Sequence, residues 1–127
     1  MNDFHVKTLK LPDDIVVVAP IGKLDSVTTV ELEKAVQKYL DTQIYSFIFD
    51  LSKIESITSA GIGFFAKLTS ITAENHGAIV AIQPPPAVQE AMNIFGIFRY
   101  MPLVDNLDTA LRTITKTKTG QFRRPNL

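Results

Sequence analysis

Three short runs govern what this chain can become: 15–21 (IVVVAPI), 44–51 (IYSFIFDL) and 78–82 (AIVAI) are predominantly apolar, the first and last of them rich in β-branched residues. A strand with one wet face alternates apolar and polar side chains. Unbroken apolar runs of this length belong to strands covered on both faces. Between them lie longer stretches with helical spacing. In the first of these, Asp25 and Ser26 supply a helix start, and Val30, Ala35, Val36, Tyr39 and Leu40 fall near helical spacing. Strands alternating with helices predict a mostly parallel sheet covered by helices. A chain of 127 residues has room for one such domain and not for two.

The remaining elements fit around this frame. Residues 3–10, with Phe4, Val6 and Leu9, read as an edge strand, and Pro12-Asp13-Asp14 turns it into the first apolar run as a hairpin. A second helix is expected from about Ser59 to His76, stopping at Gly77. A third follows the Pro84-Pro85-Pro86 run and ends at Gly96, with proline tolerated in a first turn. A short strand over about 98–103 and a last helix over about 107–115 complete the domain. The expected fold is therefore α/β, a single domain over 1–115 with a mostly parallel four- to five-stranded sheet, an N-terminal edge hairpin and about four helices. Residues 116–127 (KTKTGQFRRPNL) are basic, have no apolar period and read as a disordered tail. In an open α/β sheet, function sits beyond the carboxyl ends of the strands. Here that rim includes the loops after Ile21 and after Asp50.

Composition excludes several functions. Thirteen basic residues balance thirteen acidic ones, so no global field recruits nucleic acid or an anionic membrane. Without cysteine there is no disulfide framework, thiolate nucleophile or thiolate metal site. The N-terminus lacks the pattern of a secretory signal, and no run of apolar residues is long enough to span a bilayer. A cytoplasmic location is expected.

The stretch 57–66 (ITSAGIGFFA) holds both a glycine pattern and a pair of hydroxyls. Gly61-x-Gly63-x-x-Ala66 satisfies the dinucleotide fingerprint as a bare pattern. That fingerprint needs its glycines directly after a strand and an acid about 20 residues on. Here a polar loop intervenes, and the next apolar run ends at Gln83, so no nucleotide cofactor is expected. Nucleophilic catalysis through Ser59 would need a base. The chain offers only His5, on the edge strand, and His76, about 25 Å away along the helix that Ser59 begins. No ligand cluster has metal spacing, so the chain is read as a binding protein and not as an enzyme. Asp50 is expected to hold the loop after its strand through backbone N–H groups, and Asp25 to cap the first helix or meet a partner. Ile62, Phe64, Phe65, Ala66 and Leu68 read mainly as core. Any that project, with Ile94, Phe95, Ile97 and Phe98, would form an apolar partner patch.

Taken together, two segments resemble the STAS domain family of bacterial anti-sigma factor antagonists. In 50–63 (DLSKIESITSAGIG), Asp50, Leu51 and Ser52 match the strand end of the family motif, and Ser59, Gly61 and Gly63 match the helix start. Upstream, Gly22, Leu24 and Asp25 match its Gly-x-Leu-Asp. One position departs: Thr58 stands where the family has aspartate. The resemblance implies that Ser59 is the phosphate acceptor, with Thr58 second to it. It also implies partner contacts at Gly22, Asp25, Ser56, Thr58, Ser59, Gly61, Ile62 and Phe95. The implied partners are an anti-sigma factor serine kinase, captured by the unphosphorylated chain, and a protein phosphatase. Neither direct nucleic-acid contact nor a membrane span is implied. The alternative use of the same fold is as a regulatory subunit of a lipid-transport ATPase or a signalling assembly, without phosphorylation. By physical argument alone, Ser59 or Thr58 reads as a helix N-cap, worth about 1 kcal/mol.

Overall fold

The computed structural model describes residues 3–118. Its first two strands form the expected hairpin: β1, His5–Leu11, runs antiparallel to β2, Ile15–Leu24. A 3-10 turn over Pro12–Asp14 joins them, with Asp13 at φ 67° and Asp14 at φ 56°, a left-handed region that aspartate enters more easily than most residues. The chain then continues through α1 (Thr28–Leu40), β3 (Ser46–Asp50), β4 (Ile54–Ile57), α2 (Ser59–Glu74), β5 (Ala78–Ile82), α3 (Pro86–Ile94), β6 (Leu103–Val104) and α4 (Leu107–Lys118). The sheet order is β1-β2-β3-β5-β6, antiparallel only at β1, and β4 joins it by pairing with β2.

The apolar runs become strands because each face of the sheet has something to bury against. Val16, Val18, Phe47, Phe49, Ile79 and Ala81 point to one side and pack with residues of α1, α2 and α3. Phe49 is central there. Its ring meets Phe65 edge-on at 5.0 Å and Phe64 at 6.2 Å, the tilted geometry that aromatic quadrupoles favour. On the other side Ile15, Ile48, Ala78, Val80 and Ile82 pack with Ala110 and Ile114 of α4.

Five details differ from expectation. β2 is not buried on both faces throughout: α4 packs on β3 and β5, so Val17, Ala19 and Ile21 are only half-buried. β4 is an additional strand, bringing the sheet to six. In place of the strand over 98–103 there is a 3-10 turn, Ile97–Arg99, and then the two-residue β6. α2 ends at Glu74 and not at His76. His76 takes the left-handed position at φ 59°, and the Gly77 and His76 N–H groups bond back to the Thr72 and Ala73 carbonyls, a Schellman closure. α4 runs to Lys118, three residues past the expected boundary. The rest of the expected tail, 119–127, lies outside the described residues. Among the described residues no helix is long and apolar enough to cross a membrane.

Candidate functional site

The rim beyond the strand ends is built on a change of partner along β2. Over Ile15–Val18 this strand pairs with β3, and over Gly22–Leu24 it pairs with β4. The register shifts between Gly22 and Lys23, and Gly22 sits at φ 114°. Only glycine adopts that conformation without strain, and its N–H bonds to the Lys53 carbonyl at 3.0 Å. The loop feeding β4 is fixed from its own start: Asp50 Oδ1 accepts from the Ser52 N–H at 3.0 Å, as the sequence led one to expect.

Asp25 follows the end of β2 and caps α1. Its Oδ1 accepts from the N–H groups of Val27 (2.9 Å) and Thr28 (3.0 Å), while the Asp25 N–H donates to Thr28 Oγ1 at 2.9 Å. This reciprocal pairing is a capping box in which Thr28 takes the place of the usual Glu or Gln. The single Thr28 hydroxyl proton goes to the Lys23 carbonyl at 2.6 Å, which leaves the 3.2 Å approach to Asp25 Oδ1 as a contact only. The Thr28 N–H foremost, with that of Val27, holds the Asp25 carboxyl below its ordinary pKa. Thr28 was not singled out in the sequence, although the Asp-x-x-Thr spacing carries the signal.

Thr58 and Ser59 turn out to differ in kind. Thr58 occupies the N-cap position of α2 with an extended backbone, but its side chain makes no cap. Its N–H bonds to the Leu24 carbonyl at 2.9 Å, and its hydroxyl turns back to that same oxygen at 3.4 Å. Ser59 is the first helical residue, is exposed, and its hydroxyl makes no hydrogen bond among the described residues. Neither residue is a side-chain cap, so the reading of the pair as N-caps is corrected. α2 starts instead because β4 is tied to β2 through Leu24.

Of the eight residues expected to meet a partner, Gly22, Asp25, Ser56, Thr58, Ser59 and Gly61 gather where β2, β4 and α2 converge. Ser56 is exposed opposite Lys23. Gly61 is buried, and a Cβ there would lie 2.9 Å from side-chain atoms of Ile57 and Leu24, so this glycine permits close docking of α2. Ile62 is only 6% exposed and belongs to the core, so its side chain is not on the surface as expected. Phe95 stands 63% exposed after α3, beside the equally prominent Ile94. α3 packs against β4, the strand that delivers Ser59. Among the described residues, no cluster of His, Asp or Glu side chains is arranged to hold a metal ion.

What these elements define is a small α/β module whose rim offers a free hydroxyl at a helix start. Residues 7–110 match the family model of the STAS domain, and the chain belongs to that family. It is similar in structure to an anti-sigma factor antagonist from Mycobacterium paratuberculosis, at 27% identity and a TM-score of 0.69 over 87% of this chain and 95% of that one. It also shares its fold with the anti-sigma factor antagonist SpoIIAA in the unphosphorylated form, at 14% identity and a TM-score of 0.75, covering 87% and 96%. The phosphorylated form of SpoIIAA from Bacillus gives 14% identity and a TM-score of 0.69, covering 86% and 99%.

Proposed function

We propose that this chain is an anti-sigma factor antagonist that captures an anti-sigma factor serine kinase in the cytoplasm and is switched off by phosphate on Ser59. The observation that carries the reading is the state of Ser59: exposed, unbonded, and placed by the motif at the first residue of α2. The adjacent Thr58 hydroxyl is turned onto the Leu24 carbonyl, so Ser59 is the better acceptor of the two. That a similar fold occurs in unphosphorylated and phosphorylated forms supports a modification the fold tolerates.

The chemistry is transfer of a kinase-bound ATP γ-phosphoryl group to Ser59 Oγ, with loss of the hydroxyl proton and release of ADP. A phosphatase returns the hydroxyl by hydrolysis. The product carries about −1.5 to −2 charge at neutral pH. At the start of a helix this charge meets the favourable end of the dipole, worth about 0.3–1 kcal/mol, so the fold survives. Across an interface the same charge is desolvated or set against like charge at a cost of several kcal/mol, about a hundredfold or more in affinity. The captured kinase releases its sigma factor, and transcription is regulated without contact between this chain and DNA.

Intact mass of the chain isolated from its own cells, with the modified residue mapped, tests this directly. One phosphate on Ser59 is expected. Ser59→Asp is expected to melt close to wild type and to lose kinase binding, whereas Ser59→Ala binds and resists release. Phosphate on Thr58, or on no residue, overturns the switch.

A further inference from the structure

β1 lies at the margin of the sheet and pairs with β2 alone. In an antiparallel pair only alternate residues exchange backbone hydrogen bonds with their neighbour, and the others turn their N–H and C=O groups outward. Among the described residues, no group bonds to the outward N–H and C=O groups of His5–Leu11. The strand is regular over its seven residues, with no shift in its register against β2 and no proline. Such an edge is a template for one more strand.

The side chains of β1 limit what that strand can be. Its ionisable residues are His5, Lys7 and Lys10, with no acid among them. Lys7 forms no ion pair or hydrogen bond among the described residues. Lys10 meets Asp14 at 3.4 Å, with both side chains exposed, a contact weak enough for another carboxylate to share. Lys10 and Asp14 also share a groove of about 480 Å³ with Lys38, Tyr39 and Thr42, and the Lys38 ammonium is unpaired among the described residues. Between the two lysines of β1, Leu9 is 59% exposed and lies opposite Val17, on the part of the sheet that α4 leaves open. Two occupants from this chain itself fit badly. Residues 119–127 hold Arg123 and Arg124 and no acid, and a second copy would bring its own Lys7 and Lys10 to the shared edge, where like charges on paired strands repel.

We propose that the β1 edge accepts an extended acidic segment of another protein, added to the sheet as a further strand. Arriving antiparallel, the segment meets Lys10, Leu9, Thr8, Lys7 and Val6 in that order, so the matching sequence reads acidic, apolar, polar, acidic, apolar. Main-chain hydrogen bonds supply the attachment and the side chains the selection. Lys7 and Lys10 lie toward the hairpin turn, away from the rim where β2 pairs with β4, and the inference does not depend on phosphate at Ser59.

The test titrates the full chain, labelled with nitrogen-15, with the peptide Glu-Val-Thr-Glu-Val flanked by glycines. Saturable shifts are expected along His5–Leu11, weakening at raised salt, and alternate amides of that strand should exchange more slowly with solvent in the complex. Two matched peptides separate the parts of the argument. Lysine for glutamate removes the charge match, and N-methylation of the adjacent valine and threonine removes a main-chain donor in either register; neither peptide is expected to saturate. Lys7→Glu changes an exposed side chain, so that variant should keep the wild-type melting curve, bind the glutamate peptide about fivefold more weakly and gain affinity for the lysine peptide. Equal binding of the three peptides, shifts confined to residues outside β1, or no saturable shift overturns the proposal. Pairing of two copies through β1 in the absence of peptide also overturns it, by giving the edge to a second copy.

Discussion

At Asp25 one carboxylate oxygen receives two backbone N–H groups, which is why the acid is stronger in the folded chain than its ordinary value of 3.8. The folded pKa lies below the unfolded one, so the carboxylate's contribution to stability is complete above the unfolded value and disappears as pH falls through the folded value. Asp25→Asn is expected to melt below wild type at neutral pH, with the two curves converging as the solution is acidified past the carboxylate range. A gap that stays constant with pH would mean the carboxylate charge is not what the cap uses. At this scale the sequence was partly legible. The cap at Asp25 and the Asp50 hydrogen bond follow from residue type and position. The orientation of the Thr58 hydroxyl does not, because its acceptor, Leu24, is 34 residues away. Ile62 carried two readings, core by its apolar neighbours and partner contact by the resemblance, and its burial decides for the core.

Among the elements, the three apolar runs announced β2, β3 and β5 because their composition states their burial. β4 did not, having only Ile54 and Ile57 among polar neighbours. It is a strand because β2 extends past the bulge and offers it a free edge, a cause that lies elsewhere in the chain. The turn at Ile97–Arg99 was mistaken for a strand for the opposite reason: apolar residues packed under α3 resemble a short strand in composition alone. α2 offers a test of what its glycines are for. A Cβ at Gly61 would press on Leu24 and Ile57, whereas one at Gly63 meets nothing within 4 Å. Gly63→Ala is expected to stabilise the chain by about 0.5–1 kcal/mol through helix propensity. Gly61→Ala is expected to destabilise it despite the same gain, because α2 must lift from the strand ends. Urea unfolding of the two variants checks both signs. The same sign in both would show that α2 is not seated against Leu24.

For the whole molecule, the order of elements and the parallel sheet were readable in advance, and the uneven covering of its two faces was not. Among the described residues three helices lie on one side and α4 alone on the other, so the hairpin half of β2 keeps a partly open face. Burial of that kind depends on where a helix lands and not on the strand's own composition. The feature with the longest reach is the shared use of β2, which holds β1 and β3 in its first part and the β4 rim beyond the bulge. Local opening in a folded protein follows units that can separate from the rest, and here the acceptor loop has no seam of its own. Amide protons at the rim, Gly22 and Thr58, which bond to Lys53 and Leu24, should therefore exchange with solvent as slowly as those of Val16 and Val18 in the sheet centre. Faster exchange at Gly22 and Thr58 alone would reveal a hinge at the bulge. Equal rates would mean that Ser59 is presented to its partner on a surface as rigid as the core beneath it, and that the switch works through charge with no rearrangement of the loop.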